Sequence, residues 1–307
     1  MDLAGLTNAM TDLLIHVEDK DLMQWGLQKG IFNSGIGISK HKFLEDVERR
    51  QKKTVAGGSP ANVIHCAAKL GLSTALFGTV GNDSYGRNYV KELENTSIKP
   101  LFHVSEGSSG LCYILITPDG EKTTLADIGV AGHYDFDLKK MKGAKLFHTS
   151  GYELMTNPEK VSEAVEYAKS IGVKVSYDLA APKAVQGDFL PLVQRMCEKY
   201  IDILFMTEEE AEAFRNCSPL EALHEMSEFC EVVALKKGAK GSAVIKGAEF
   251  YEQQILPAKV ANTNGAGDAY AAGFLCAYLK SGGDARHAAA IGSNVAAIIV
   301  GIEQSHL

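Results

Sequence analysis

The sequence predicts an α/β domain with a mainly parallel sheet and an inserted antiparallel β element. From about Val130 onward, short β-rich runs alternate with helical segments, which is the pattern of βαβ units. Residues 109–128 instead carry two strand-like runs around Pro118, Asp119 and Gly120, a hairpin signal. The chain has 307 residues with no internal repeat and no low-complexity linker. One domain spanning 1–307 is therefore more economical than two.

Taken in order, GGSPANVIHCAAKLG (57–71) places two glycines and a Ser-Pro turn before a helix starting near Pro60 or Ala61. GLSTALFGTVGNDSYG (71–86) reads as a buried strand followed by a glycine-rich loop. KLFHTSG, VKVSYDL, IDILFMT and VVALKKG read as strands, with helices predicted at 158–171, 190–199, 208–214 and 219–230. The loops HTSGYE, DLAAP, MTEEE and KKGAKGS then lie at the carboxyl ends of parallel strands, where ligands bind. In VANTNGAGDAYAAGF (260–274), apolar residues recur at helical spacing from Ala269, predicting a helix that begins near Asp268. Gly265 and Gly267 leave no Cβ to block the free amides of its first turn, which suits a bound or developing anion. The alternative is that Asp268 merely caps the helix.

Composition narrows the function classes. With 46% apolar and 22% charged residues and a net charge of -7, the chain reads as globular, and nucleic acid is not its expected main partner. The cluster Arg49, Arg50, Lys52 and Lys53 reads as a solvated helix end. The opening MDLAGLTNAM has neither a basic nor an apolar leader region, and no apolar run reaches membrane-spanning length, so a cytoplasmic protein without a membrane partner is expected. The six cysteines are scattered without a C-x-x-C, and none of the nine histidines has H-x-x-x-H spacing. A zinc site is not expected, and any metal should be oxygen-ligated. P-loop, dinucleotide and nucleophile-elbow motifs are absent.

The motifs GLTNAMTD (5–12), GGSPAN (57–62), FGTVGNDSYG (77–86), PDGEKT (118–123), DLAAP (178–182), TEEEA (207–211), KKGAKGS (236–242) and NTNGAGDAYAAGF (262–274) together resemble the ribokinase-like carbohydrate kinases, the PfkB family, in their adenosine-kinase-like branch. The likeness runs through essentially the whole chain. It implies a ribokinase-like three-layer α/β fold with a small β lid formed by about 12–48 and 104–130. It also implies ATP-dependent phosphorylation of a primary hydroxymethyl group on a sugar or nucleoside. On that resemblance Asp268 is the base, and the amides of Gly265, Ala266 and Gly267 form the anion hole. Asp12, Gly58 and Asn62 hold sugar hydroxyls, Glu210 organises Mg²⁺ through water, and Thr207, Gly238 and Asn294 contact ATP. A monomer or a lid-mediated homodimer fits the resemblance. Two other readings stay open: a non-catalytic sugar- or nucleoside-binding relative, and a vitamin kinase of the same superfold. Retention of Asp268 speaks against the first, and the hairpin against the second.

The chain departs from the family pattern at three positions. Thr207 stands where asparagine is usual, Lys122 where arginine is usual, and Asn262 where aspartate is usual. Asn262 lacks the charge that would concentrate a monovalent cation in its loop. Potassium is expected to activate weakly or not at all, and strong activation that survives in Asn262→Ala would overturn this expectation.

Overall fold

The computed structural model describes residues 1–33, 40–255 and 265–301. The chain opens with β1 (Leu3–Leu6) and β2 (Met10–His16), then runs through α1 (Asp19–Gln24), β3 (Phe32–Asn33), α2 (Lys40–Glu48) and β4 (Lys52–Gly57). Next come α3 (Ser59–Lys69), β5 (Thr74–Gly81), α4 (Ser84–Glu94), β6 (Ile98–Ser105) and the hairpin β7 (Gly110–Ile116) and β8 (Lys122–Asp127). The alternating part comprises β9 (Leu146–Ser150), α5 (Gly151–Thr156), α6 (Pro158–Ser170), β10 (Lys174–Asp178), α7 (Phe189–Lys199), β11 (Ile203–Thr207), α8 (Glu208–Arg215), α9 (Pro219–Met226) and β12 (Val232–Lys236). It ends with β13 (Ser242–Lys246), β14 (Glu249–Gln253), α10 (Ala266–Lys280) and α11 (Ala285–Val300).

Among the described residues the large sheet has the order β14-β13-β12-β11-β10-β9-β1-β5-β6. Every neighbouring pair from β12 to β6 is parallel, and only β13 and β14 are added antiparallel. Both faces are covered by helices, so the strands are near-continuous apolar runs split between two cores by their period of two. On β11, Ile203 and Phe205 join the core under α3, α10 and α11, while Leu204 and Met206 join the one under α6, α7, α8 and α9. On β12, Val232 and Ala234 divide from Val233 and Leu235 in the same way. The result is a three-layer α/β sandwich. No described helix is long and apolar enough to cross a membrane.

The small sheet has the order β3-β8-β7-β2-β4, and its two faces have different fates. Leu13, Ile15, Tyr113, Leu115 and Leu125 pack with Trp25, Phe43 and Val47 from the region of α1 and α2. The alternate residues Asp12, Leu14, Cys112, Ile114 and Ala126 face a cavity toward the large sheet. Phe43 is the centre of the covered face, with its ring 5.1 Å from that of Trp25 and 5.0 Å from that of Tyr113, both edge-on.

The boundaries differ from the sequence reading in specific places. β4 lies outside the stretches 12–48 and 104–130, yet it pairs with β2 from Met10↔Gly57 to Ile15↔Lys52. β6 pairs with β5 along its whole length, so 104 and 105 belong to the large sheet. The helix expected over 219–230 ends at Met226, because residues 227–231 turn the chain back into β12. Residues 34–39 of the first stretch lie outside the described residues.

The separate core of the small sheet predicts a local effect of substitution. Phe43→Ala should cost about 3–5 kcal/mol within that sheet. Hydrogen exchange should accelerate in β2 and β7 while β10 to β12 keep the parent's protection, and emission from Trp25, the single tryptophan, should shift to the red. Uniform acceleration in both sheets would show that they unfold as one unit.

Candidate active site

Two helix N-termini meet at the carboxyl edge of the large sheet. α3 begins after Gly58, whose φ of 106° favours glycine, and a Cβ there would lie 2.5 Å from the Asn8 carbonyl oxygen and from Thr7 Oγ1. α10 begins after Gly265, with φ 76° and no side chain to cap the helix, so among the described residues its first-turn amides are left for another partner. The helix starts at Ala266, two residues before the position expected, because Gly265 supplies the left-handed turn. Asp268 is thus inside the first turn and is not the N-cap. Its carboxylate accepts hydrogen bonds from Ser59 Oγ at 2.7 Å and from Asn62 Nδ2 at 2.8 Å. The first turn of α3 therefore aims the carboxylate of α10.

Asn62 is only 7% exposed. Its Nδ2 is committed to Asp268, while its Oδ1 has no hydrogen-bond partner among the described residues. A buried carbonyl oxygen left unpaired costs free energy, and a ligand hydroxyl would remove that cost. Asp12, on β2, faces the same space and takes a hydrogen bond from the thiol of Cys112, its register partner on β7. Gly58, Ser59, Asn62, Gly265 and Asp268 line one side of this cavity of about 1630 Å³, and the open face of the small sheet lines the other. Glu153 also reaches it from α5, accepting from the Asn8 amide at 3.0 Å and from Ser150 Oγ at 2.5 Å.

Desolvation dominates the electrostatics of this space. Burial pushes Asp268 up to about 6 against the hydrogen bonds of Asn62 and Ser59. It pushes Asp12 up to about 7, opposed by the Cys112 thiol and reinforced by the charge of Asp268. Glu153 is likewise pushed up to about 7 by burial, against the Asn8 amide and the Ser150 hydroxyl. Burial and the Asp12 carboxylate drive the Cys112 thiol far upward, so it is an unreactive donor.

A second group of charges gathers at the ends of β10, β11 and β12, with Lys236 against the same helix turn. Lys236 Nζ lies 2.6 Å from Asp178 Oδ2, with both side chains largely buried. Glu210 accepts from the Thr207 amide at 2.8 Å, and Thr207 Oγ1 accepts from the Glu210 amide at 3.3 Å, a capping box that starts α8. Burial and the Asp178 charge raise the Glu210 carboxyl, opposed by Lys236 and Thr207. Gly238 turns the chain after β12 with φ 55°, and Asn294 sits half-buried within α11. Thr207, Glu210, Gly238 and Asn294 do not line the cavity that brings together Asp12, Gly58, Asn62 and Asp268. Among the described residues no cluster of three or more His, Cys, Asp or Glu side chains is placed to hold a metal ion. Asn262 lies outside the described residues.

Sequence reasoning passed over Ser59, Asn8, Glu153, Asp178 and Lys236. Each was within reach of a signal. Ser59 sits inside GGSPAN, and Glu153, Asp178 and Lys236 occupy the loops singled out at the strand ends. Nothing local distinguishes a loop acid that bonds a neighbour from one that faces solvent.

Comparison with known proteins identifies the family. A family model for the pfkB family carbohydrate kinases matches residues 35–305. The adenosine kinase of Saccharomyces cerevisiae is 27% identical over 91% of this chain and 88% of its own. The 5-dehydro-2-deoxygluconokinase of Bacillus subtilis is 30% identical over 80% of each chain. Among solved structures, the adenosine kinase from Sinorhizobium meliloti superposes with a TM-score of 0.87 at 25% identity, covering 100% of this chain and 95% of that one. The ribokinase-like architecture follows from that superposition. With matches spanning most of the chain and the signature helix meeting α3 in the cavity, the protein belongs to the pfkB family of carbohydrate kinases, as a sugar or nucleoside kinase.

Proposed function

We propose that the protein transfers the γ-phosphoryl group of ATP to the primary hydroxymethyl group of a nucleoside, with Asp268 as the base. The observation that carries this reading is the arrangement Ser59–Asp268–Asn62, which aims a buried carboxylate into the cavity beside an unpaired Asn62 Oδ1. A hydroxymethyl group at Asp268 gives up its proton there. Ring hydroxyls donate to Asn62 Oδ1 and to Asp12, and Gly58 lets the sugar approach the backbone. Phosphoryl transfer asks mainly for positioning and charge stabilisation, and the uncapped amides of Gly265, Ala266 and Gly267 supply donors for the transferred group. Thr207, Gly238 and Asn294 belong to the ATP side by their place in the family pattern. Glu210 retains acceptor capacity beyond its bond to Thr207, so it suits Mg²⁺ held through water, and the metal would neutralise charge on the phosphates.

The nucleoside reading is supported by the apolar side chains that lie beyond Asp12. Leu14, two residues further along β2 and so about 7 Å away, is joined by Val55, Ile114 and Ala126 on the cavity face. These side chains suit a flat, weakly polar base, while Arg50, Lys52, Lys53, Lys122 and Lys183 also line the cavity and offer cations to a sugar acid's carboxylate, so the two acceptor classes are separated by experiment. The small sheet closing over such a base would act as a lid that keeps water from ATP. An ADP-release panel of nucleosides, ribose and a six-carbon keto sugar acid with Mg·ATP tests the choice. A nucleoside should show the highest kcat/KM, and preference for the sugar acid would move the acceptor to the other class.

The role of Asp268 yields two expectations. Asp268→Asn should lower turnover by about two to four orders of magnitude with a Tm within a few degrees of the parent, since the residue is not the helix cap. Turnover within tenfold of the parent would remove the catalytic assignment. Because the base must be ionised and its folded-state pKa is raised to about 6, log kcat/KM should fall as pH drops through that value and level off above it. A flat profile from pH 5 to 8 would count against Asp268 as the titrating group.

A further inference from the structure

The Asp178–Lys236 pair acts on Asp268 only through its charges, and a purely structural role accounts poorly for it. A single buried ion pair seldom stabilises a fold more than apolar side chains of the same size would. The loop that holds Asp178 is also strained: Asp178 Oδ1 accepts from the amide of Ala180, a non-glycine residue with φ 63°. Strain of this kind persists where a geometry is held for use.

The position of the ammonium indicates that use. A Cβ added to Gly267 would lie 3.4 Å from Lys236 Nζ, so the ammonium lies against the first turn of α10. An ammonium has three N–H donors, and among the described residues only Asp178 takes a hydrogen bond from it. Burial disfavours the charge, but the carboxylates of Asp178, Glu210 and Asp268 outweigh burial and keep Lys236 protonated. Among the described residues, a cation with unspent donors therefore stands beside uncapped amides.

We infer that Lys236 is a phosphate-binding residue, whose ammonium contacts oxygens of the ATP polyphosphate beside Gly267 while Asp178 holds it in position. The inference rests on ATP as the phosphoryl donor. Removing the charge should weaken nucleotide binding and slow transfer, while leaving the nucleoside subsite on the other side of Asp268 unaffected.

The test compares the parent with Lys236→Met, Lys236→Arg and the double variant Asp178→Asn/Lys236→Met. The double variant removes both members of the ion pair, so Asp178 is not left as an unpaired buried carboxylate and the fold should persist. Calorimetric titration with ATP, without Mg²⁺ and without acceptor, should show affinity at least about tenfold weaker in Lys236→Met and in the double variant, with Lys236→Arg recovering part of the loss. In turnover, kcat should fall by about 10²–10³-fold while KM for the nucleoside changes less than about threefold. A double variant with parental ATP affinity and parental kcat would overturn the assignment and leave the pair as structural. A parent that binds ATP but phosphorylates no acceptor would sink the nucleoside reading alone, and the titrations would still decide Lys236. A parent that does not bind ATP would overturn both.

Discussion

The site depends on the carboxylate of Asp268 being held by the first turn of α3. Two hydrogen bonds from Ser59 and Asn62 span 209 and 206 positions of sequence and lock together two helix N-termini that would otherwise only be neighbours. They also set the chemistry. The hydrogen bonds and the nearby Lys236 favour the ionised form, burial disfavours it, and the balance leaves the acid raised to about 6. A carboxylate of that strength is ionised at neutral pH and still able to accept a proton, as the proposed role asks. A fully solvated aspartate would be a weaker base, and a buried one without partners would stay protonated.

The same concentration of buried charge requires donors from several parts of the framework. Asp268, Asp12 and Glu153 share a desolvated space, and each is held by donors from a different element: α3, β7 and the strand ends near Asn8 and Ser150. Each donor offsets part of the desolvation cost. The wide parallel sheet positions these donors because its strands end together at one edge. The small sheet contributes its open face through the period of two, with a separate aromatic core around Phe43 on the other side.

Much of the fold was legible because it rests on local signals. The alternation of strands and helices, the hairpin turn, the glycines before α3 and the helix after GAGD all follow from periodicity, turn chemistry and backbone freedom. β4 was missed because KKTVAG is charged and short, and only its pairing with β2 makes it a strand. The over-long helix at 219–230 arose from residues with good helix propensity whose backbone is needed for a turn into β12. Propensity yielded to topology there.

The sequence by itself determined the α/β class, the family and the positions of Asp268, Gly58, Asn62 and Asp12, because each sits in a motif whose backbone requirement is local. Tertiary structure decided what those residues touch. Whether Asp268 caps its own helix or is aimed by Ser59 and Asn62, and whether Lys236 is a surface lysine or a buried cation against Gly267, depends on how distant segments pack. Hydrogen bonds and charges act over a few ångströms in space, and the order of residues along the chain does not specify which distant groups come within that range.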